Sequence, residues 1–292
     1  MATSRGNLFD PKLVKDLISK VQGKSSLAVL ANQTPVSFNG NKEFTFNFDS
    51  DVDIVAENGK KTHGGFSLQP VTIVPIKFEY GARVSDEFMY ASEEEKLNIL
   101  KEFNDAFAKK IARGLDIAAM HGLNPRTMEA STVIGDNHFD AKVTETVDYT
   151  AATPDANIET AIQVIEGNER EVTGMAISPA MRSALAAMKN SANEKLYPEF
   201  AFGGKPSTLG PTKLDINVTV SKGDKDHAII GDFATMFKWG YAKHIPLEVI
   251  EYGDPDNSGM DLKGYNQVYI RAEVYLGWGI LDAESFARVV AA

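Results

Sequence analysis

Phe44, Phe46 and Phe48 alternate strictly with Thr45 and Asn47. This is the period of an extended strand with one apolar face that has to be covered. A polar, glycine-bearing stretch follows from Asp49 to Gly65 and carries Lys60, Lys61 and His63. Strand character then returns from Phe66 through Val71-Thr72-Ile73-Val74-Pro75-Ile76-Lys77-Phe78. Pro70 and Pro75 lack the amide hydrogen that a central strand donates, so the returning strand belongs at an edge or in a free hairpin. Residues 32–80 are therefore predicted to form a long two-stranded ribbon. Two strands alone are marginal in water, and a ribbon of this length is expected to lie on a neighbouring surface, which points to oligomerisation. Bases could stack on the three phenylalanines, but no Lys or Arg is interleaved with them, and a hydrophobic strand face is the better reading.

Elsewhere the periodicities are mixed. Asp10 and Pro11 open a short helix with Leu13, Val14, Leu17, Ile18 and Val21 at helical spacing and Gly23 as its stop. It is either a helix at the domain edge or an arm that packs on another molecule. Residues 93–121 carry Leu97, Leu100, Phe103, Phe107, Ile111, Leu115 and Ala118 at three- and four-residue steps. Ser92 and the acidic run Glu93-Glu94-Glu95 suit its N-terminus, and Gly122 with Asn124-Pro125 ends it. A helix this long could be a spine across a flat domain. Further helices are predicted from Pro154 and, capped by Ser178, from Pro179 to about Lys189. Strands are predicted at Val172–Ile177, Ile216–Val220, His227–Asp232, Pro246–Tyr252 and Gln267–Ile280, with loops over residues 190–211 and 253–264. The fold class is α+β.

Composition removes several functions. The 292 residues include 30 Lys+Arg against 40 Asp+Glu, a formal net charge of -10. Proteins that grip nucleic acid through its phosphates carry basic surfaces, so specific DNA or RNA binding is disfavoured. There are no cysteines, which excludes disulfides, thiolate metal sites and cysteine nucleophiles. The start of the chain lacks an apolar signal segment, and no run approaches the ~20 apolar residues of a membrane helix. No membrane partner is expected, and the chain should be made in the cytosol.

No motif of chemistry survives. Gly23-Lys24-Ser25 ends like a phosphate loop, but Ile18 stands where the first glycine is needed. His63, His121, His138, His227 and His244 show no metal-ligand spacing. Asp254-Pro255-Asp256-Asn257-Ser258-Gly259 resembles the start of a calcium loop, but its twelfth position is Tyr265 rather than a glutamate, and a tight surface turn is the favoured reading. No catalytic, cofactor-binding or metal residue is assigned, and no cofactor is expected.

The order of these elements resembles the major capsid proteins of tailed bacteriophages, with the Hong Kong 97-like fold. Leu8–Val14 through Ser25-Ser26-Leu27-Ala28 resembles the family's N-terminal arm. Ala56–Lys61 through Lys77–Glu87, ending Val84-Ser85-Asp86-Glu87, resembles the extended loop and its return. The helix closing Asp116-Ile117-Ala118-Ala119-Met120-His121-Gly122 resembles the spine helix. Leu185–Lys189, Leu209-Gly210-Pro211 and Ile229–Phe233 resemble parts of the axial domain. The resemblance spans roughly residues 8–290. It implies an N-terminal arm over 1–31, an extended β-hairpin loop over 32–79, a peripheral domain with the long spine helix from 80–126 and 246–292, and an axial domain over 127–245.

It also implies self-assembly into the pentamers and hexamers of an icosahedral phage head, a virion capsid built in the host bacterial cytoplasm around double-stranded DNA that it encloses without specific binding. A separate scaffolding protein is implied, since the arm begins near Met1, and so is a portal. Phe44, Phe46, Phe48, Lys60 and Lys61 are the expected inter-subunit contacts. Some relatives cross-link a loop lysine to a neighbour's asparagine. Lys42, Lys60 and Lys61 lie in the loop, but the asparagine and a catalytic glutamate are not matched, so that activity is not carried over and the chain is read as no enzyme. The alternatives are an encapsulin-type bacterial nanocompartment shell, which shares the fold, and a cytosolic enzyme without a local motif.

Overall fold

The computed structural model describes residues 20–21, 23–87, 93–223 and 225–291. The predicted helix over Leu13–Val21 lies outside the described residues except for its end, where Val21 is fully buried. So does the Ser92 cap of the long helix.

Three sheets organise the described residues. The first is the ribbon, β1 (Asn41–Phe48) paired antiparallel with β2 (Phe66–Ile73). The ribbon is shorter than predicted. Val74 and Pro75 interrupt the returning strand, and the chain re-enters as β3 (Ile76–Ser85) in a different sheet. Proline cannot donate to a ladder, so Pro75 marks the point where one sheet stops and the next begins.

The second sheet has the order β3, β10 (Gln267–Ile280), β9 (Phe237–Ile250). β10 matches its predicted range, whereas the strand predicted at Pro246–Tyr252 covers only the end of β9. The long helix, here α2 (Glu93–His121), matches its predicted range and stops at Gly122, whose φ of +67° is the left-handed geometry of a helix end. Phe107, Ile111, Leu115 and Ala118 are buried in one cluster with Ala272, Val274, Leu276 and Trp278 of β10. The preceding helix α1 (Ser26–Leu30), capped by Ser25 Oγ on the Ala28 amide, adds Leu27 and Leu30 to the same cluster. α1 was not predicted as a helix.

The third sheet runs β4 (Thr146–Asp148), β11 (Phe286–Val290), β8 (Asp226–Gly231), β5 (Gly174–Ile177), β7 (Thr212–Ile216), β6 (Thr208–Leu209). It is covered on both faces. Met175, Ile177, Ala228, Ile230, Ala287 and Val289 pack with Ile158, Ala161 and Ile165 of α4 (Pro154–Gly167) and with Met181 and Leu185 of α5 (Pro179–Ala187). Their neighbours Ala176, Ile229 and Phe286 point the other way, into the cluster that holds α2. That alternation of two apolar sets is what a doubly covered strand requires. Phe139, on the one-turn helix α3 (Phe139–Lys142), joins Phe233, Phe237 and Phe286 there, with ring centroids 5.1–6.5 Å apart.

The strand predicted at Ile216–Val220 is not formed. β7 ends at Ile216, and Asn217 turns the chain into a 3-10 helix by accepting the Thr219 amide on its side chain. Asn at such a cap competes with continued strand pairing, and the hydrophobic alternation there hid it.

Candidate assembly surface

The ribbon is held at one end and free at the other. Its base rests on β10 through two glycines. Ile73 is fully buried, and a Cβ built on Gly277 or Gly279 would stand 3.0 or 2.8 Å from Ile73. Trp278, between them, points to the opposite face, is buried against Phe78 and bonds Asn137 by its ring nitrogen at 2.8 Å. The repeat Gly277-Trp278-Gly279 thus gives β10 one filled face and one bare face, and the ribbon's base lies against the bare one. The lead-in is equally close. Thr34 donates its amide to Trp239 O at 2.8 Å, and a Cβ on Gly240 would fall 1.7 Å from Thr34 O, so only glycine fits. Lys238 Nζ meets Glu43 at 2.8 Å across the junction. Asn41 closes the approach, accepting the Ser37 amide and donating to Pro35 O.

Beyond that base Phe44, Phe66 and Leu68 are exposed. The register sets Phe44 opposite Pro70, Phe46 opposite Leu68 and Phe48 opposite Phe66. Directly opposed residues share a face, so six apolar residues form one stripe. Phe44 is 52% exposed, Phe66 66% and Leu68 44%. The side chains of Phe46 and Phe48 lie outside the described residues, although their backbone positions are fixed by the ladder. Lys60 and Lys61 are exposed in the connecting segment, away from the stripe, and Asp53 beside them accepts a bond from Thr62 at 2.7 Å. The ladder places Phe44, Phe46 and Phe48 in register on β1, and Lys60 and Lys61 lie in the connecting segment. Val52 and Ile54, 96% and 97% exposed in the same segment, were missed in the sequence. Their signal was the alternation Asp51-Val52-Asp53-Ile54, a short strand pattern inside an otherwise polar stretch.

Two polar networks lie inside the body rather than on this surface. Asp116, fully buried, accepts the amides of Ser26 and Leu27 at 3.0 and 3.2 Å, the Thr219 hydroxyl at 2.8 Å and the Ser25 hydroxyl. Burial pushes its carboxyl up to about 6, against the pull of those donors. The carboxylate sits at the N-terminus of α1 and ties that helix to α2.

The second network ends α2. His121 Nε2 faces the Thr219 carbonyl at 2.9 Å and Nδ1 faces Asp140 at 2.9 Å, with Asp226 3.6 Å away. Arg288 bonds Asp140 at 2.7 Å and Asp226 at 3.2 Å. Burial raises Asp226 to about 7, and the neighbouring Asp140 adds to it. Burial opposes ionisation of Asp140 too, but the bonds from His121 and Asp226 and the charge of Arg288 bring it below its ordinary value. His121 is raised: burial lowers it, and Asp140 more than compensates. Its three acidic and imidazole groups are close enough to suggest a cation site. A carbonyl can only accept, however, so Nε2 carries hydrogen, and the guanidinium already supplies the positive charge. The cluster is a closed ion-pair network joining α2, α3, β8 and β11.

A scan of protein families finds one model, described as the phage capsid family, over residues 5–291. The chain belongs to the phage capsid family. The capsid protein is similar to a chain of Mycobacterium phage Ogopogo at 31% identity, with 92% of each chain covered and a TM-score of 0.78. It is similar to a chain of Gordonia phage Cozz at 25% identity, covering 92% of this chain and 87% of that one, with a TM-score of 0.77. The capsid of an empty GTA particle shares the fold at 15% identity, covering 92% and 90% with a TM-score of 0.66. No curated protein matches the sequence. The capsid protein is thus a structural major capsid protein of the phage virion, with the mixed helix-and-sheet fold of phage capsid chains, and the encapsulin and enzyme alternatives are not favoured.

Proposed function

We propose that this capsid protein builds the pentamers and hexamers of an icosahedral head that encloses double-stranded DNA, and that the ribbon is the element each copy lays on its neighbour. The single observation that carries this reading is the stripe of Phe44, Phe66 and Leu68, exposed on a ribbon whose other end is fixed to the body by Ile73. Burying such a stripe on a second copy covers apolar area that no single chain can cover. Phe46 and Phe48 share the stripe by register. Lys60 and Lys61, exposed at the free end, set the pairing geometry more than its strength.

The arm over 1–31 and the extended loop over 32–79 are the exchanged elements in this proposal. Residues 80–126 and 246–292 form a peripheral part and 127–245 an axial part. The two parts share structure, since β9 starts at Phe237 and β11 pairs with β8. The excess of acidic residues favours a shell that encloses DNA without gripping it. Assembly takes place in the host cytoplasm with a scaffolding protein and a portal as partners, and the subunit performs no catalysis. Negative-stain electron microscopy of the purified chain, alone and with its scaffolding protein, tests the reading. Closed shells are expected; a small species under every condition contradicts it.

A further inference from the structure

The loop between β9 and β10 has the ligand spacing of a calcium loop and holds a guanidinium in the middle. Arg83, on β3, points Nη2 at four oxygens: Asp254 Oδ1 at 2.8 Å, Asp256 Oδ1 at 2.5 Å, Ser258 Oγ at 2.6 Å and the Met260 carbonyl at 2.8 Å. Counting from Asp254, these are positions one, three, five and seven, with the seventh supplied by the main chain. In a calcium loop those positions converge on the ion, and glycine stands at the sixth for the sharp turn. Gly259 is that sixth residue and has a φ of +80°. Asp254 also accepts the amides of Ser258 and Gly259 at 3.0 and 2.7 Å, which folds the loop around its first ligand.

The rest of the ion's usual shell is missing. Position nine is Leu262 and position twelve Tyr265, so no bidentate carboxylate closes the cage. Arg83 occupies the space instead. It forms a second bond to Asp256 through Nε at 2.9 Å and a bond from Nη1 to Gln267 at 3.1 Å, and its side chain is only 12% exposed. One amino group has two hydrogens, and four oxygens within 2.8 Å are more than it can fully satisfy. The cage is arranged for a cation with several oxygens around it, and a strand residue provides the charge. The Arg83 bond holds the Asp256 carboxyl well below the ordinary carboxylate range.

We infer that Arg83 is the resident cation of this loop: its guanidinium fixes the β9–β10 connection to β3 without metal, and removing it opens a divalent-cation site on the same four oxygens. A permanently charged guanidinium cannot be chelated or diluted away. The connection therefore stays in place whatever the calcium level around the particle. The inference concerns the subunit alone and does not depend on how copies assemble.

Terbium, a luminescent stand-in for calcium, and thermal unfolding with calcium or chelator test it on the full-length subunit. Tyr252 and Tyr265 are exposed near the loop and can sensitise terbium emission. Wild type is expected to stay at background emission and to melt at one temperature in millimolar calcium and in chelator. Arg83→Met is expected to melt lower in chelator, to bind terbium, and to regain roughly 3–6 °C with calcium. Adding Asp254→Asn to that variant should abolish both gains. Arg83→Gln, which keeps a polar side chain, should behave as Arg83→Met does. Saturable terbium binding by wild type that Asp254→Asn removes would overturn the inference. So would Arg83 variants that gain no terbium signal, or that stay unfolded in calcium and chelator alike. A variant recovered in folded form only with calcium supports it.

Discussion

The ribbon and the six-stranded sheet use the same two-residue alternation and bury it differently. In β5, β8 and β11 both sets of alternating side chains are covered, one by α4 and α5 and the other by the core around α2. In the ribbon the base is buried at Ile73, while Phe44, Phe66 and Leu68 are exposed. The sheet is buried on both faces within the subunit. In the proposed assembly, the exposed residues of the ribbon are covered by a second copy. The same sequence signal therefore serves two purposes, and only the position of the next layer tells them apart.

This contrast can be broken first in the body. Trp278→Ala or Phe286→Ala should destabilise the subunit by about 3–5 kcal/mol, since each empties a fully buried site; urea unfolding measures it. Next, Asp116→Ala strands the amides of Ser26 and Leu27 and the Thr219 hydroxyl. Roughly 2–3 kcal/mol should be lost, with earlier proteolysis near α1. At the junction, Gly279→Val forces a side chain into Ile73. The expected cost is about 1–3 kcal/mol, and hydrogen exchange should rise in the ribbon while the six-stranded sheet stays protected.

The expected pH dependence comes from groups in the body. Asp116 and Asp226 hold protons more tightly folded than unfolded, being raised from 3.8 to about 6 and about 7. Their contribution is complete below the unfolded value and is lost as pH rises through those folded values. His121, raised above 6.5, has the same sign. Asp140 and Asp256 are lowered, so their contribution is lost on the acid side, as pH falls below the ordinary carboxylate range. The subunit should therefore melt highest at mildly acidic pH and lower toward pH 8, by on the order of 1 kcal/mol. Asp116→Asn should flatten part of that slope. The smallest effect is expected on the ribbon: Phe44→Asp should change the stability of the unassembled subunit by no more than about 0.5 kcal/mol.

Strong local periodicity made part of this fold legible. α2 announced both ends, through its three-and-four spacing and the left-handed Gly122. β10 was legible because its apolar run is long and free of proline. The ribbon was legible as a ribbon, but not where it stopped, because Pro75 reads as an edge position whether a strand continues or changes sheets. The turn at Asn217 was hidden by a side-chain cap that imitates nothing in the hydrophobic pattern. The three phenylalanines of the stripe stood out in one strand, whereas Leu68 and Phe66 gained meaning only from the register that puts them opposite. The partners of Arg83, Asp116 and His121 lie 19 to 184 residues away in sequence, and no local motif reaches that far.

The most direct test of the ribbon as an assembly surface is the double variant Phe44→Asp/Phe46→Asp, compared with wild type as unassembled subunit by thermal melting and under assembly conditions by electron microscopy. An unchanged melting temperature and no closed shells are expected. Normal particles from the variant would contradict it.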